Sequence, residues 1–218
     1  STDMAASLAI FAAWLLSAEL PANSTTRREL DAYLATAADQ PAGRLRLAQD
    51  LFNRGRIAEA EAPLRLAVTW DPNSPVIHAT LGTVLNALGR PAEAAAALWR
   101  AAQLAPTEAG AAFDAALAFA AAGKPADAEL ALRETVRRDP RRARAWYNLG
   151  LLLAQTGRAD DAIAALQQAE TLAPAVADYP YARATILWQR GDRAGAAAAA
   201  RRTLELDPAH PSAREMLR

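Results

Sequence analysis

Apolar residues in the sequence recur at helical spacings that reset at a fixed interval. Counting each 34-residue stretch from place 1, at residues 41, 75, 109, 143 and 177, places 4, 7, 8 and 11 make one stripe and places 20, 24 and 27 another. A stripe at intervals of three and four residues is the buried face of an amphipathic helix, so each stretch predicts two helices. Three series share the 34-residue step in one phase: Gly55, Gly89, Gly123, Gly157, Gly191; Ala60, Ala94, Ala128, Ala162, Ala196; and Pro72, Pro106, Pro140, Pro174, Pro208. The chain is built of internal repeats.

The turn chemistry agrees with the stripes. Glycine at place 15 suits the left-handed position that ends a helix, and Pro91 and Pro125, two residues later, suit the first position of the next. Asp71-Pro72, Asp139-Pro140 and Asp207-Pro208 should stop the second helix, because proline disfavours helical geometry in the residue before it. Place 8 is Ala48, Gly82, Ala116, Gly150 or Ala184 and place 20 is Ala throughout, so the paired helices can cross closely.

The copy from Ala143 reads Trp146, Leu149, Gly150, Leu153, Gly157, Ala162, Leu166, Ala169 and Pro174. That order of large aromatic, Leu-Gly pair, small residue, bulky residue and proline resembles the tetratricopeptide repeat family, with Leu153 in place of the usual Tyr and Leu166 in place of the usual Phe. The resemblance implies an all-α solenoid of antiparallel helix pairs wound as a right-handed superhelix, with a concave face that holds peptide segments. The organisation expected is a divergent N-terminal helix pair over 1–40, five repeats at 41–74, 75–108, 109–142, 143–176 and 177–210, and the start of a C-terminal capping helix over 211–218.

Residues 1–40 lack the repeat marks, but 4–19 and 25–37 still read as helices. Met4 to Ala18 is a run of uncharged residues shorter than the roughly 20 that span a bilayer, so no membrane span is expected. Its apolar residues nearly encircle the helix, which predicts that a second copy or an upstream domain packs on 4–19. Because residue 1 is Ser and residues 211–218 begin a sixth copy and stop, the sequence reads as a piece of a larger protein.

Composition excludes more chemistry than it proposes. The 24 Lys and Arg balance 24 Asp and Glu, leaving none of the cationic excess that a grip on phosphate backbones needs, so no nucleic-acid partner is expected. With no cysteine and two separated histidines, neither a metal nor a cofactor is expected. His78, at place 4, reads as a packing residue. Arg137, Arg138, Arg141, Arg142 and Arg144 form one local charge cluster, read as a solvated turn between repeats or a patch for an acidic partner. No phosphate loop or hydrolase motif occurs and no catalytic residue is assigned.

The candidate binding positions lie beside the core stripe, at places 2, 5, 9 and 12 of each first helix, the face that lines the ligand groove in the family resembled. Place 5 runs Leu45, Ala79, Phe113, Tyr147, Tyr181; place 9 runs Gln49, Thr83, Leu117, Leu151, Thr185; place 12 runs Phe52, Asn86, Ala120, Ala154, Trp188. The expected partner-binding residues are Phe52, Asn86, Phe113, Leu117, Tyr147, Leu151, Tyr181 and Trp188, a nearly neutral groove suited to an apolar or helical protein segment. The chaperone-tail adaptors of the family hold a terminal carboxylate with Lys and Asn; this chain has Leu45, Gln49, Thr80, Gly110 and Asp114 at those places, and the clamp is missing.

A second resemblance is carried by Leu20-Pro21, Arg27-Arg28-Glu29-Leu30, Gln40-Pro41, Arg46-Leu47-Ala48 and Tyr181 to Leu187. These are similar to the repeat segment beyond the haem domain of some bacterial multihaem c-type cytochromes, although the haem-attaching Cys-x-x-Cys-His is absent. Two functions are therefore expected: a non-catalytic interaction scaffold, or the structural or oligomerisation arm of a larger bacterial enzyme such as that cytochrome. The second would place the chain in the periplasm, the first in the cytoplasm.

Overall fold

The structure is a computed structural model that describes residues 41–218. The expectations for 1–40, including the apolar helix over 4–19 and its covering, lie outside the described residues. The chain divides into two compact units that meet between Ala105 and Pro106. Among the described residues there is no strand.

In the first unit, α1 (Pro41–Asn53) pairs with α2 (Ile57–Trp70), and α3 (Pro75–Ala87) with α4 (Pro91–Leu104). The second unit holds three pairs: α5 (Gly110–Ala121) with α6 (Pro125–Arg138), α7 (Ala143–Gln155) with α8 (Ala159–Leu172), and α9 (Asp178–Gln189) with α10 (Arg193–Leu206). A last short helix, α11 (Pro211–Glu215), packs on α10. Within each unit the second helix of one pair also packs on the first helix of the next, so the core is continuous between pairs.

The three-residue turn inside each pair is fixed by backbone conformation. At Gly157 φ is +80°, and the following Arg158 N–H reaches back to Leu153 O at 2.9 Å, the six-to-one bond that closes a helix end. A Cβ on this glycine would touch nothing within 4 Å, so glycine stands there for its φ and not for want of room. The other four glycines of the series repeat the geometry, with φ between +70° and +82°. The helices before Asp71, Asp139 and Asp207 end where the Asp-Pro pairs require.

The crossings are as close as the small residues allow. Ala60, Ala94, Ala128, Ala162 and Ala196 are fully buried, as are Leu64 and Leu166. At Gly150 an added Cβ would stand 2.8 Å from Leu166 Cγ and 3.1 Å from Ala162 O; at Gly82 it would stand 2.5 Å from Leu98 Cγ. Here glycine answers to space, the opposite reason from Gly157.

Place 4 does something the hydrophobic pattern did not suggest. Trp146 Nε1–H donates to Pro140 O at 2.9 Å, His78 Nε2–H to Pro72 O at 2.8 Å, and Arg214, the same place of the unfinished sixth copy, to Pro208 O at 2.5 Å. Each side chain ties the start of a first helix to a carbonyl six residues back, in the turn that precedes it. At Pro180, which has no such donor, Arg202 from α10 takes over the carbonyl of Pro174 at 3.0 Å. His78 is thus more than packing: its ring carries a hydrogen bond that satisfies a turn carbonyl.

Charged pairs fasten consecutive second helices. Arg90 bridges Glu61 at 2.6 Å and Glu93 at 2.8 Å; Arg158 bridges Glu129; Arg190 bridges Asp160. Two members of the arginine cluster are engaged within α6. Arg138, with a side chain only 6% exposed, bonds Glu134 at 2.7 Å and the Glu108 carbonyl at 2.7 Å, while Arg137 takes the other side of Glu134. Between them the two guanidinium groups hold the Glu134 carboxyl down at about 2.

Candidate functional site

The sequence-predicted face divides between the two units, with Phe52 and Asn86 in the first and the other six residues in the second. In the first unit, Phe52 from α1 lines a cleft of about 500 Å³ together with Gln49, Val76, Ala79 and Thr83, all from places named in advance. Asn53, Thr80 and Val84 complete it and were not among the expected groove residues, because the lining extends one residue beyond places 12, 5 and 9. Thr80 and Thr83 donate their hydroxyls to the carbonyls of Val76 and Ala79, at 2.8 and 3.0 Å, so those walls present mainly methyl groups. Asn86 is exposed on α3 and is not among the cleft residues.

In the second unit the first helices α5, α7 and α9 carry Phe113 and Leu117, Tyr147 and Leu151, and Tyr181 and Trp188 respectively. Leu117 and Trp188 are each 40% exposed, and Leu151, Tyr147 and Tyr181 are half-buried. Phe113 offers little to a partner: it is buried, and the Arg142 guanidinium lies 5.0 Å from its ring centre. Tyr147 packs 4.9 Å from Tyr179, and Tyr181 packs 4.3 Å from His210. Trp188 lies beneath the Arg193 guanidinium at 3.6 Å. Part of the aromatic surface thus serves the joint to the following helices, and part remains open.

Three of these neighbours were not found from sequence. Tyr179 sits at place 3, outside both stripes, Arg142 reaches the face from the turn before α7 and Arg193 from the first position of α10, so the face carries two guanidinium groups that a count by places omits. Burial raises the phenol pKa of Tyr147, and Asp178 and Tyr179 raise it further; Tyr179 is also raised by burial, against the pull of Arg144. Both phenols stay neutral at physiological pH and act as hydroxyl groups in an otherwise apolar wall.

A second hollow, of about 440 Å³, lies between α6 and α8, with Trp146, Leu149 and Leu153 of α7 beneath and Arg133, Asp161 and Gln168 at its edge. Among the described residues no three His, Asp or Glu side chains are grouped to hold a metal. No helix among them is long and apolar enough to cross a membrane.

Stacked helix pairs with an open first-helix face define a class. The fold is that of tetratricopeptide-repeat proteins. The sequence model of the family described as "Tetratricopeptide repeat" matches residues 113–177 and 181–217. Among solved structures, YrrB, described as a tetratricopeptide-repeat protein with an unusual peptide-binding site, superposes with a TM-score of 0.74 at 17% identity, over 85% of this chain and 95% of its own. MamA from Desulfovibrio magneticus RS-1 gives 0.70 at 23% identity, over 79% and 97%. PilF from Pseudomonas aeruginosa gives 0.62 at 20% identity, over 81% and 80%. At these identities the likeness is one of fold. No curated protein sequence matches the chain significantly.

Proposed function

We propose that the chain is a scaffold that binds an apolar or amphipathic helical segment of a partner protein on the first-helix face of its second unit. The observation that carries this reading is the exposure of Leu117 and Trp188 on the same face as half-open Tyr147, Leu151 and Tyr181. Leucine and tryptophan left two-fifths open gain most when a partner removes them from water. The peptide-binding site described for YrrB supports the reading for a chain of this fold. Phe52 and its uncharged cleft in the first unit offer room for an apolar side chain. The alternative, an arm of a multihaem cytochrome, rests on the sequence resemblance alone.

A photoreactive phenylalanine analogue placed at Leu117 or Leu151 in living cells tests this, with Leu130 of α6, 57% exposed on a second helix, as the control position. Discrete cross-linked adducts should form from Leu117 and Leu151 and not from Leu130. Tyr147→Ala with Trp188→Ala should remove them while helicity is kept, since a truncated aromatic hot spot typically costs about 2 kcal/mol or more. Adducts that form from Leu130 alone, or that survive the double substitution, would move the site off this face.

A further inference from the structure

The two histidines hold opposite ends of a hydrogen bond. His78 faces the carbonyl of Pro72, which can only accept, so Nε2 carries a proton, and a second proton on Nδ1 leaves that bond intact. His210 is the reverse. Its Nδ1 accepts the backbone N–H of Ala213 at 3.2 Å and must therefore be bare. Protonation there sets donor against donor. Protonation of both rings would therefore break one bond and spare the other.

What the His210 bond holds is specific. His210 is the cap residue of α11, whose Ala213 is fully buried in a cluster with Ala184, Ala199 and Ala200, with Tyr181 and Met216 packed against it. The imidazole also packs on the Tyr181 ring. The Tyr181 ring of α9 faces it, and two charged residues adjoin its backbone: Asp207 at the end of α10, whose carbonyl accepts the His210 N–H at 3.1 Å and whose carboxylate accepts from Ala209, and Arg214 of α11, whose N–H donates to the His210 carbonyl at 3.3 Å and whose guanidinium donates to Pro208 O. The last two bring one charge of each sign.

We propose that His210 is an acid-sensitive latch: as neutral imidazole it holds α11 and the Tyr181 ring in place, and on protonation it releases both. Because only the neutral form makes the cap, the stabilisation is present at higher pH and is lost as pH falls. The bearing on partner binding rests on the function proposed above, through Tyr181; the latch itself does not.

Backbone hydrogen exchange of the full chain at pH 7.5 and 5.0, corrected for intrinsic rates, tests the latch without any partner, so its failure is distinct from failure of the cross-linking experiment. Protection over Ala213 to Met216 should fall about 5-fold on acidification, the equivalent of a typical cap worth about 1 kcal/mol. His210→Asn keeps a cap acceptor that does not titrate, and its protection should be the same at both pH values. The Tyr181 ring resonances should move with pH in the parent chain and not in this variant. Equal protection of the parent at both pH values overturns the proposal, and so does an equal loss in His210→Asn, which would assign the acid effect to another group such as Asp207.

Discussion

Gly150→Ala sets two well-known effects against each other at one atom. Replacing a helical glycine by alanine in open surroundings stabilises by about 1 kcal/mol through lost chain entropy. At Gly150 the new Cβ would lie 2.8 Å from Leu166 Cγ and 3.1 Å from Ala162 O. The first is the branch point of a fully buried side chain and the second is backbone, so neither can swing aside and α8 must move as a body. Overpacking of this kind costs about 1 to 3 kcal/mol, which leaves Gly150→Ala net destabilising by about 1 kcal/mol. Gly150→Leu, with three more carbons and the same walls, should cost more than about 3 kcal/mol. The mirror experiment sharpens the test. Ala116 occupies the same place one copy earlier and is buried, so Ala116→Gly forfeits about 1 kcal/mol of helix propensity and the contacts of a buried methyl, about 0.8 kcal/mol. Opposite substitutions at equivalent crossings should both lower the urea midpoint followed by far-UV circular dichroism. A higher midpoint for Gly150→Ala, or an unchanged one for Gly150→Leu, would refute the close crossing and with it the pairing of α7 with α8.

Two further outcomes follow from the turns between pairs. Trp146→Phe keeps a ring under the next helix but removes the N–H that reaches Pro140, and should cost about 1 kcal/mol, the ordinary net worth of a hydrogen bond, in the same denaturation assay. Glu134→Gln should lower the unfolding midpoint at pH 7 and leave it nearly unchanged near pH 2. The Glu134 carboxyl is depressed to about 2 by Arg137 and Arg138, so its contribution is complete above the ordinary carboxylate value and disappears as pH falls through about 2. A difference that persists undiminished into strong acid would contradict the depressed carboxyl.

Much of the fold was legible because a repeat states each requirement several times over. The five turn glycines share one step, and the φ of Gly157 is what a helix end demands, so local geometry could be read from spacing alone. The tie at place 4 could not. Trp146, His78 and Arg214 share neither size nor hydrophobicity; they share only an N–H long enough to reach a carbonyl six residues back. The candidate face was legible as a set of places but not in its exposure. Whether Phe113 or Tyr181 stays open depends on the residue 29 positions later, Arg142 in one case and His210 in the other. That residue lies in a turn, where no periodicity speaks for it. The arginine cluster was legible only in part for a related reason: a run of like charge does not show that Glu134 engages Arg137 and Arg138, or that the Glu108 carbonyl accepts from Arg138.

The place-4 tie also says where the chain can be cut. Between successive repeats it is a stitch of six residues, made by His78, Trp146 and Arg214 and made by proxy, through Arg202, across the Pro180 joint. In the third copy the same place is Ala112, whose methyl has no hydrogen to lend to Pro106, and the seam between the two compact units runs just before that proline. A truncation or an inserted tag placed between Pro106 and Ala112 cuts no stitch of this kind, whereas the same operation between Pro72 and His78, or between Pro140 and Trp146, would part a turn from the side chain that closes it.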